Sequence, residues 1–408
     1  MTRSQAREAA PEPAAPPPRA NPDLLGHEAA EAELRRLFNS GRMPHALLLS
    51  GPRGIGKATL AFRLARFVLA QGGGDGAGPS LFGEDGGGGG DAEMGEEGGS
   101  SGLAIPPESG TFRRVASGGH ADLLTIERAY DPRRRRLRGE IVVGDTREIG
   151  TFLRLTPAEG GWRVVVVDGA DEMNRNAANA LLKILEEPPR RALLLLIAHS
   201  PGKLLPTIRS RCRRFPLAPL TPTIVGALLH RYRPELDAET AATVTALAEG
   251  SIGRAFDLAA ADGVALYRAA LTLLSRDAGI DPAALHAFAD RLARSEAEEA
   301  YRVVEAAVSQ LLAQLAKASA GSSGEPEALP ERGAVLRRLG GRAPAARWAA
   351  LRGEIEESFA RTDALNLDRK QTILGAIAQL NGDKLMAARL LGIGKTTLYR
   401  KLKDYTSQ

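Results

Sequence analysis

The chain has 408 residues, 43% of them apolar but only 4% aromatic, with a net charge of +5 and a pI near 9.4. That length fits two to four domains at roughly 100–200 residues each, with cores of Ala, Leu, Val and Ile, and the mild basicity permits an acidic partner such as DNA without the lopsided charge of a histone-like protein. A single cysteine, Cys212, excludes a disulfide framework and a cysteine-rich zinc cluster, and no apolar run is long enough for a transmembrane helix.

Residues 1–21 are rich in Pro and Ala with charges interspersed. They read as a disordered arm. They lack the apolar stretch of a secretory signal, so the expected compartment is the cytoplasm, with no membrane partner. A helix is predicted from Glu28 to Phe38 and a strand from Ala46 to Leu49. The glycine-rich GPRGIGKAT, Gly51 to Thr59, leads into a second helix from Leu60 to Leu69. From Gln71 the chain becomes glycine-rich and acidic. A flexible insert is expected over 71–118, because so few apolar residues cannot offset the entropy of ordering.

Order is expected to resume near Gly119. DLLTIE (Asp122 to Glu127) and EIVVGD (Glu140 to Asp145) read as strands, with the basic RRRRLR between them as a loop. Trp162 to Met173 contains a continuous apolar strand ending in acids, of the kind buried on both faces of a parallel sheet. NAANALLKILEE has Leu181, Ile184 and Leu185 on one helical face and is stopped by Pro188 and Pro189. Ala192 to Ser200 is another buried strand. This alternation argues a doubly wound α/β domain over 22–215. From about Thr221 the pattern is helical, with GSSGEPEALPERG (321–333) as a loop inside it.

A P-loop cradles phosphates with successive backbone N–H groups and a helix N-terminus, while its lysine meets the phosphate charge. Gly51, Gly54, Gly56 and Lys57 fit that pattern. The next residue should carry a hydroxyl for Mg²⁺, but the chain has Ala58, and Thr59 comes one position late. Candidate nucleotide-binding residues are therefore Gly51, Gly54, Gly56, Lys57, Thr59 and Asp168, with ATP or ADP as the ligand and Mg²⁺ in question. Asp168 ends its strand where a metal-side carboxylate belongs. Asp171 and Glu172 read as the start or cap of the next helix. In IRSRCRRF, Arg209, Arg211, Arg213 and Arg214 form either a solvated basic loop or an arginine finger, a guanidinium that stabilises a transferring phosphoryl group. Spacing alone does not choose.

Together, GPRGIGKAT, VVVVDGADEMNRNAANALLKILEEPP and LLPTIRSRC resemble the bacterial clamp-loader AAA+ subunits, those of the delta-prime type of DNA polymerase III above all. The resemblance covers about residues 22 to 370. It implies a helical lid over 216–275 and a helical collar over 276–370. It also implies gamma/tau and delta subunits, a sliding clamp and primed DNA as partners. Arg211, the arginine of SRC, would act in trans on a neighbour's ATP. Hydrolysing relatives commonly carry Glu after the strand-ending Asp, where this chain has Gly169. They also carry Arg in the lid at the position of Gly253. With Ala58, these departures point to a subunit that hydrolyses ATP poorly or not at all. Many relatives insert a four-cysteine zinc module after the P-loop helix. This chain has glycines there, so no zinc is expected.

Beyond residue 370 the pattern changes. A helix ending at Leu380, a break at Asn381-Gly382, a helix through Leu391, a Gly392-Ile393-Gly394 turn and a basic helix make helix-turn-helix grammar. The tail, 371–408, resembles the Fis-type DNA-binding domain of NtrC-like activators. Lys395, Thr396, Thr397, Arg400 and Lys401 are its candidate DNA contacts. Two other readings stay open: an active gamma/tau-type ATPase, against which Ala58 and Gly169 stand, and an NtrC-like AAA+ regulator. The regulator would carry a GAFTGA-type loop, which this sequence lacks.

Overall fold

The computed structural model describes residues 15–72, 102–131, 136–159, 161–260, 262–275, 280–294, 298–321, 329–365 and 367–380. The chain divides into two compact units, Met1–Ile224 and Val225–Gln408.

The first unit is built on a five-stranded sheet. Its strands are β1 (Ala46–Ser50), β2 (Leu123–Ile126), β5 (Arg163–Asp168), β6 (Ala192–Ala198) and β7 (Arg213–Pro216), in the order β2-β5-β6-β1-β7. Every pairing in it is parallel. A separate hairpin pairs β3 (Tyr130–Asp131) with β4 (Arg136–Leu137). Because side chains alternate along a strand, the sheet sorts its residues by parity. Leu47, Leu49, Val164, Val166, Leu193 and Leu195 pack on one face with Leu34 of α1 (Glu28–Asn39), Leu60 and Leu64 of α2 (Lys57–Gly72) and Val115 of α3 (Gly110–Ser117). Leu48, Val165, Val167, Leu194 and Leu196 pack on the other. Their partners are Ile149 and Leu153 of α4 (Val143–Arg154), Leu181 and Leu185 of α5 (Arg175–Glu186) and Ile208 of α6 (Pro206–Arg209). Helices on both faces of a parallel sheet make the expected doubly wound α/β architecture.

Four local expectations need correction. EIVVGD is not a strand: Ile141 makes a single bridge to Met173, and the chain then turns into α4, whose entry is closed by Asp145 accepting from Val142 N at 2.9 Å. The basic run is not wholly a loop, since Arg136 and Leu137 form β4. The insert is shorter than 71–118. Leu103 is fully buried, and its N–H donates to Glu31, which also takes Arg63 Nε at 2.6 Å; Ser109 then caps α3. One carboxylate in α1 thus ties α2 to the chain where it re-enters the fold. The N-terminal arm is likewise held before residue 21. Arg66, 1% exposed in α2, donates to Arg19 O and Asn21 O at 2.8 Å each. Residues 1–14 and 73–101 lie outside the described residues.

The second unit is helical. Helix α7 (Pro222–Tyr232) spans the division, followed by α8 (Ala238–Ala248), α9 (Ile252–Ala259), α10 (Gly263–Ser275), α11 (Pro282–Ala293) and α12 (Glu298–Ser319). Then come α13 (Pro330–Gly340), α14 (Ala345–Leu365) and α15 (Arg369–Leu380). The expected loop over 321–333 is shorter, because Pro330 opens α13 from its first turn. The 22-residue α12 is the central element, packed against α10, α11, α13 and α14. Its Gln310, 3% exposed, donates to Leu247 O at 2.8 Å at the end of α8. Among the described residues no single helix is long and apolar enough to cross a membrane.

Candidate functional site

The glycine-rich loop leaves β1 and closes where α2 begins. Gly51 sits at φ +153°, and a Cβ there would stand 2.4 Å from Leu217 O, so only glycine fits beside the chain leaving β7. The loop is pinned at its middle by His27, whose Nε2 lies 2.6 Å from Ile55 O. Gly54 and Gly56 both turn at positive φ. Lys57 opens α2, and its side chain curls back over the loop, donating to Gly51 O at 2.8 Å and to Pro52 O. It is 3% exposed. Burial pulls the ammonium pKa down to about 8, opposed in part by Asp168 and Asp171. Ala58 packs against the core without an oxygen to offer, and Thr59 is buried in the next position of α2.

In the sheet order, β6 lies between β1 and β5, so the C-terminal strand edge gathers Lys57, His199 and Asp168. This edge is where open α/β sheets bind ligands. Burial and the neighbouring Glu127 raise the Asp168 carboxyl, while Arg53 and Lys57 pull it down. Gly169 turns the chain at φ +78°, ψ +46°. A Cβ there would meet Glu172 Oε2 at 2.6 Å. Glu172 therefore occupies the space beside the residue that follows Asp168. Arg128 holds it at 2.9 Å, and burial raises its carboxyl against the pull of Arg128 and Arg53.

Asp171 and Glu172 do not cap the following helix, as the sequence suggested. They lie in a short 3-10 turn, Ala170–Glu172, and α5 is capped instead by Asn174, which accepts from Ala177 N at 3.0 Å. Asp171 reaches across to the end of β6, accepting from His199 N at 3.0 Å and Ser200 N at 2.7 Å. His199 was not foreseen as a site residue. Burial, then the Lys57 charge, push its pKa down to about 4, so the ring is neutral at physiological pH. The available signal was its place directly after an apolar strand, since such residues land on the strand edge.

Arg211 is not among the loop residues. It follows α6, where its guanidinium pairs with Glu186 at 2.8 Å and donates to Thr207 O at 3.0 Å. The LEEPP and SRC stretches thus meet in space. Arg213 and Arg214 belong to the edge strand β7, and Arg213 pairs with Glu33 at 3.1 Å. Cys212, between Arg211 and Arg213, is buried, and burial pushes its thiol up to about 12, which keeps it protonated and unreactive. In the helical unit, Arg254 lies 3.8 Å from Glu249, and Gly253 precedes it. Lys395, Thr396, Thr397, Arg400 and Lys401 lie outside the described residues.

Residues 105–221 match the family described as DNA polymerase III, delta subunit, and residues 370–405 match the Fis family of bacterial regulatory proteins. The delta' subunit of DNA polymerase III from Pseudomonas aeruginosa is 36% identical over 51% of this chain and 53% of its own. The gamma/tau subunit from Mycobacterium tuberculosis is 32% identical over 51% of this chain and 30% of its own. The delta' subunit from Bacillus subtilis is 31% identical over 47% and 48% respectively. The chain spans about half the length, or less, of these relatives. Among solved structures, a DNA polymerase III gamma subunit-related protein from Thermotoga maritima is similar over 86% of this chain and 99% of its own, at 19% identity and a TM-score of 0.35. The chain thus resembles clamp-loader subunits of both the delta' and gamma/tau kinds, and its residues 370–405 resemble the Fis family.

Proposed function

We propose that the chain works as a delta'-type clamp-loader subunit of DNA polymerase III. It assembles with gamma/tau and delta subunits into a ring that loads a sliding clamp on primed DNA. In that ring it contributes an arginine to a neighbour's ATP and turns over little or no ATP itself. The observation that carries the reading is the turn after Asp168. Gly169 has no side chain, and the space beside it is taken by Glu172 in an ion pair with Arg128. The Glu172 carboxylate is committed to Arg128 at 2.9 Å instead of being free to orient a water.

The loop keeps the geometry of a phosphate cradle. A nucleotide would be held by the backbone N–H groups between Gly51 and Lys57 and by the Lys57 ammonium, which would leave the carbonyls of Gly51 and Pro52 for phosphate oxygens. Bound ATP would bring the phosphoryl group to be transferred and, with Mg²⁺, its charge neutralisation. Asp168 is the remaining metal-side group, because Ala58 supplies no ligand. The nucleotide thus acts as a structural element of this subunit. Arg211, exposed and oriented by Glu186 and Thr207, is the group offered outward.

Two measurements test this. The isolated chain binds ATP with negligible turnover, and Lys57→Ala weakens binding. Robust turnover lost in Lys57→Ala would make this a gamma/tau-like motor. In a ring reconstituted with a gamma/tau ATPase, Arg211→Ala assembles normally but lowers the partner's DNA-stimulated turnover by about 10³-fold or more. A ring that fell apart would make Arg211 structural.

A further inference from the structure

The helical unit holds a charged cluster of its own, built where α8, α9, α10, α12 and α13 pack together. Helix α8 ends on Glu249, which takes the left-handed conformation at φ +48°, ψ +45°. Two residues later Ser251 caps α9 by accepting from Arg254 N at 3.1 Å. This turn presents Glu249 and Arg254 together, with Arg254 Nη1 3.8 Å from Glu249 Oε2. Gln314 of α12 donates to the other oxygen of the same carboxylate. More deeply buried are Tyr267 of α10, 1% exposed, and Arg332 in the first turn of α13, 6% exposed. These two are neighbours. Burial pushes the Tyr267 phenol up to about 12, and the Arg332 charge is the first pull against it. Glu249 and Arg254 act on the same phenol, so the four groups share one region.

The charges in that region do not balance. A buried guanidinium is ordinarily matched by a carboxylate and a set of acceptors. Glu249 is already taken by Arg254 and Gln314. Glu331, next to Arg332 in sequence, pairs instead with Arg268 of α10 at 3.4 Å. Among the described residues no carboxylate stands within ion-pair distance of Arg332, and its Nε and Nη1 are buried without an acceptor. The Tyr267 O–H donates to no group either. Water would fill the hydrogen bonds and leave the charge unmatched. An oxyanion supplies both the acceptors and the charge. The burial of Tyr267 and Arg332 limits the ligand to a small ion, because neither offers a surface on which a nucleic acid or peptide could lie. The rim is open to such an ion at Arg254 and Glu249, which are partly exposed.

We propose that Arg332 and Tyr267, with Arg254 at the rim, form a binding site inside the helical unit for a small oxyanion of the inorganic phosphate class. The bound ion ties α13 to α9 and α10, so the stability of the unit follows the concentration of the ion. This inference does not depend on the clamp-loader reading, and its test needs no clamp-loader subunit.

The test uses the full chain carrying Lys57→Ala, which removes the loop after β1 as a competing phosphate site. Equilibrium dialysis with labelled inorganic phosphate is expected to give one ion per chain. About 10 mM phosphate should raise the melting temperature of the helical unit by about 3 °C or more, where chloride at equal ionic strength does not. Adding Arg332→Met should weaken phosphate binding at least about tenfold and abolish the rise. If Arg332→Met does not fold, Tyr267→Phe decides, with an expected loss of about threefold in phosphate affinity. Absence of bound phosphate in the Lys57→Ala chain overturns the proposal. So does phosphate affinity that Arg332→Met, or Tyr267→Phe in its place, leaves unchanged. A rise reproduced by chloride reduces the effect to charge screening and overturns it too.

Discussion

Gly169 and Glu172 form a pair whose consequence runs against a common repair strategy. Installing the missing glutamate as Gly169→Glu meets two obstacles. A side chain in the left-handed region costs roughly 1–2 kcal/mol, and its Cβ would collide with Glu172. The expected outcome is a less stable protein, measured by urea unfolding, with no gain in ATP turnover. A turnover gain would mean that the loop relaxes and that sequence alone, not backbone, sets activity here. Lys57 gives a pH signature. Its pKa is lowered to about 8, and only the charged form meets phosphate. ATP affinity is therefore flat below that pH and falls about tenfold per unit above it. A fluorescent-nucleotide titration from neutral to alkaline pH checks this, with Lys57→Ala giving a weak and flat profile. Lys57 and its glycines were legible because the motif is local. The Glu172 position was not, since it depends on a φ angle, and neither was the contact of Asp171 with the end of β6, which lies 28 residues away in sequence.

Elements with strong periodicity were read from sequence close to their ends: α1, α5, β1 and β6 all fall where the apolar pattern put them. The misread elements share a cause. EIVVGD has the composition of a strand, but its tertiary context pairs only Ile141, and Asp145 closes a helix entry instead. Edge strand β7 hides among arginines because just Phe215 in it needs burial, and charged edges discourage further pairing. The start of the fold was hidden for another reason. The order of residues 15–21 comes from Arg66, a residue about 45 positions later whose two hydrogen bonds reach back to their carbonyls. Its guanidinium also lies 4.5 Å from the Phe112 ring centroid. Arg66→Ala is expected to lose about 2–3 kcal/mol in urea unfolding and to open the segment near Asn21 to protease. Arg66→Lys should retain less than half of that stabilisation, since an ammonium lacks the planar fork whose two nitrogens reach the Arg19 and Asn21 carbonyls separately. Equal protease resistance in all three proteins would show that the segment is held by other contacts.

For the molecule as a whole, fold class was readable because alternation of strands and helices is a global pattern and the parity of the sheet follows from it. The tail from 371 was legible from its Gly392-Ile393-Gly394 turn and flanking leucines, and the Fis-family match begins at residue 370, inside α15. The surface pair of Glu186 and Arg211 joins two distant motifs, and its worth is small in the isolated chain. Glu186→Ala should change stability by less than about 1 kcal/mol. In a reconstituted ring it should lower partner turnover less than Arg211→Ala does, a graded effect that a stopped assay resolves. The other junction of note is Glu31, which grips both α2 and the chain at Leu103. The last turn of α2 and that anchored residue fix the chain on either side of residues 73–101. Closing a flexible loop between two fixed points depends weakly on its length, each doubling adding only about 0.6 kcal/mol. The site is therefore a port. A foreign domain with neighbouring termini, spliced in place of residues 73–101, should be carried without disturbing the sheet, and a fluorescent reporter placed there would report on the subunit.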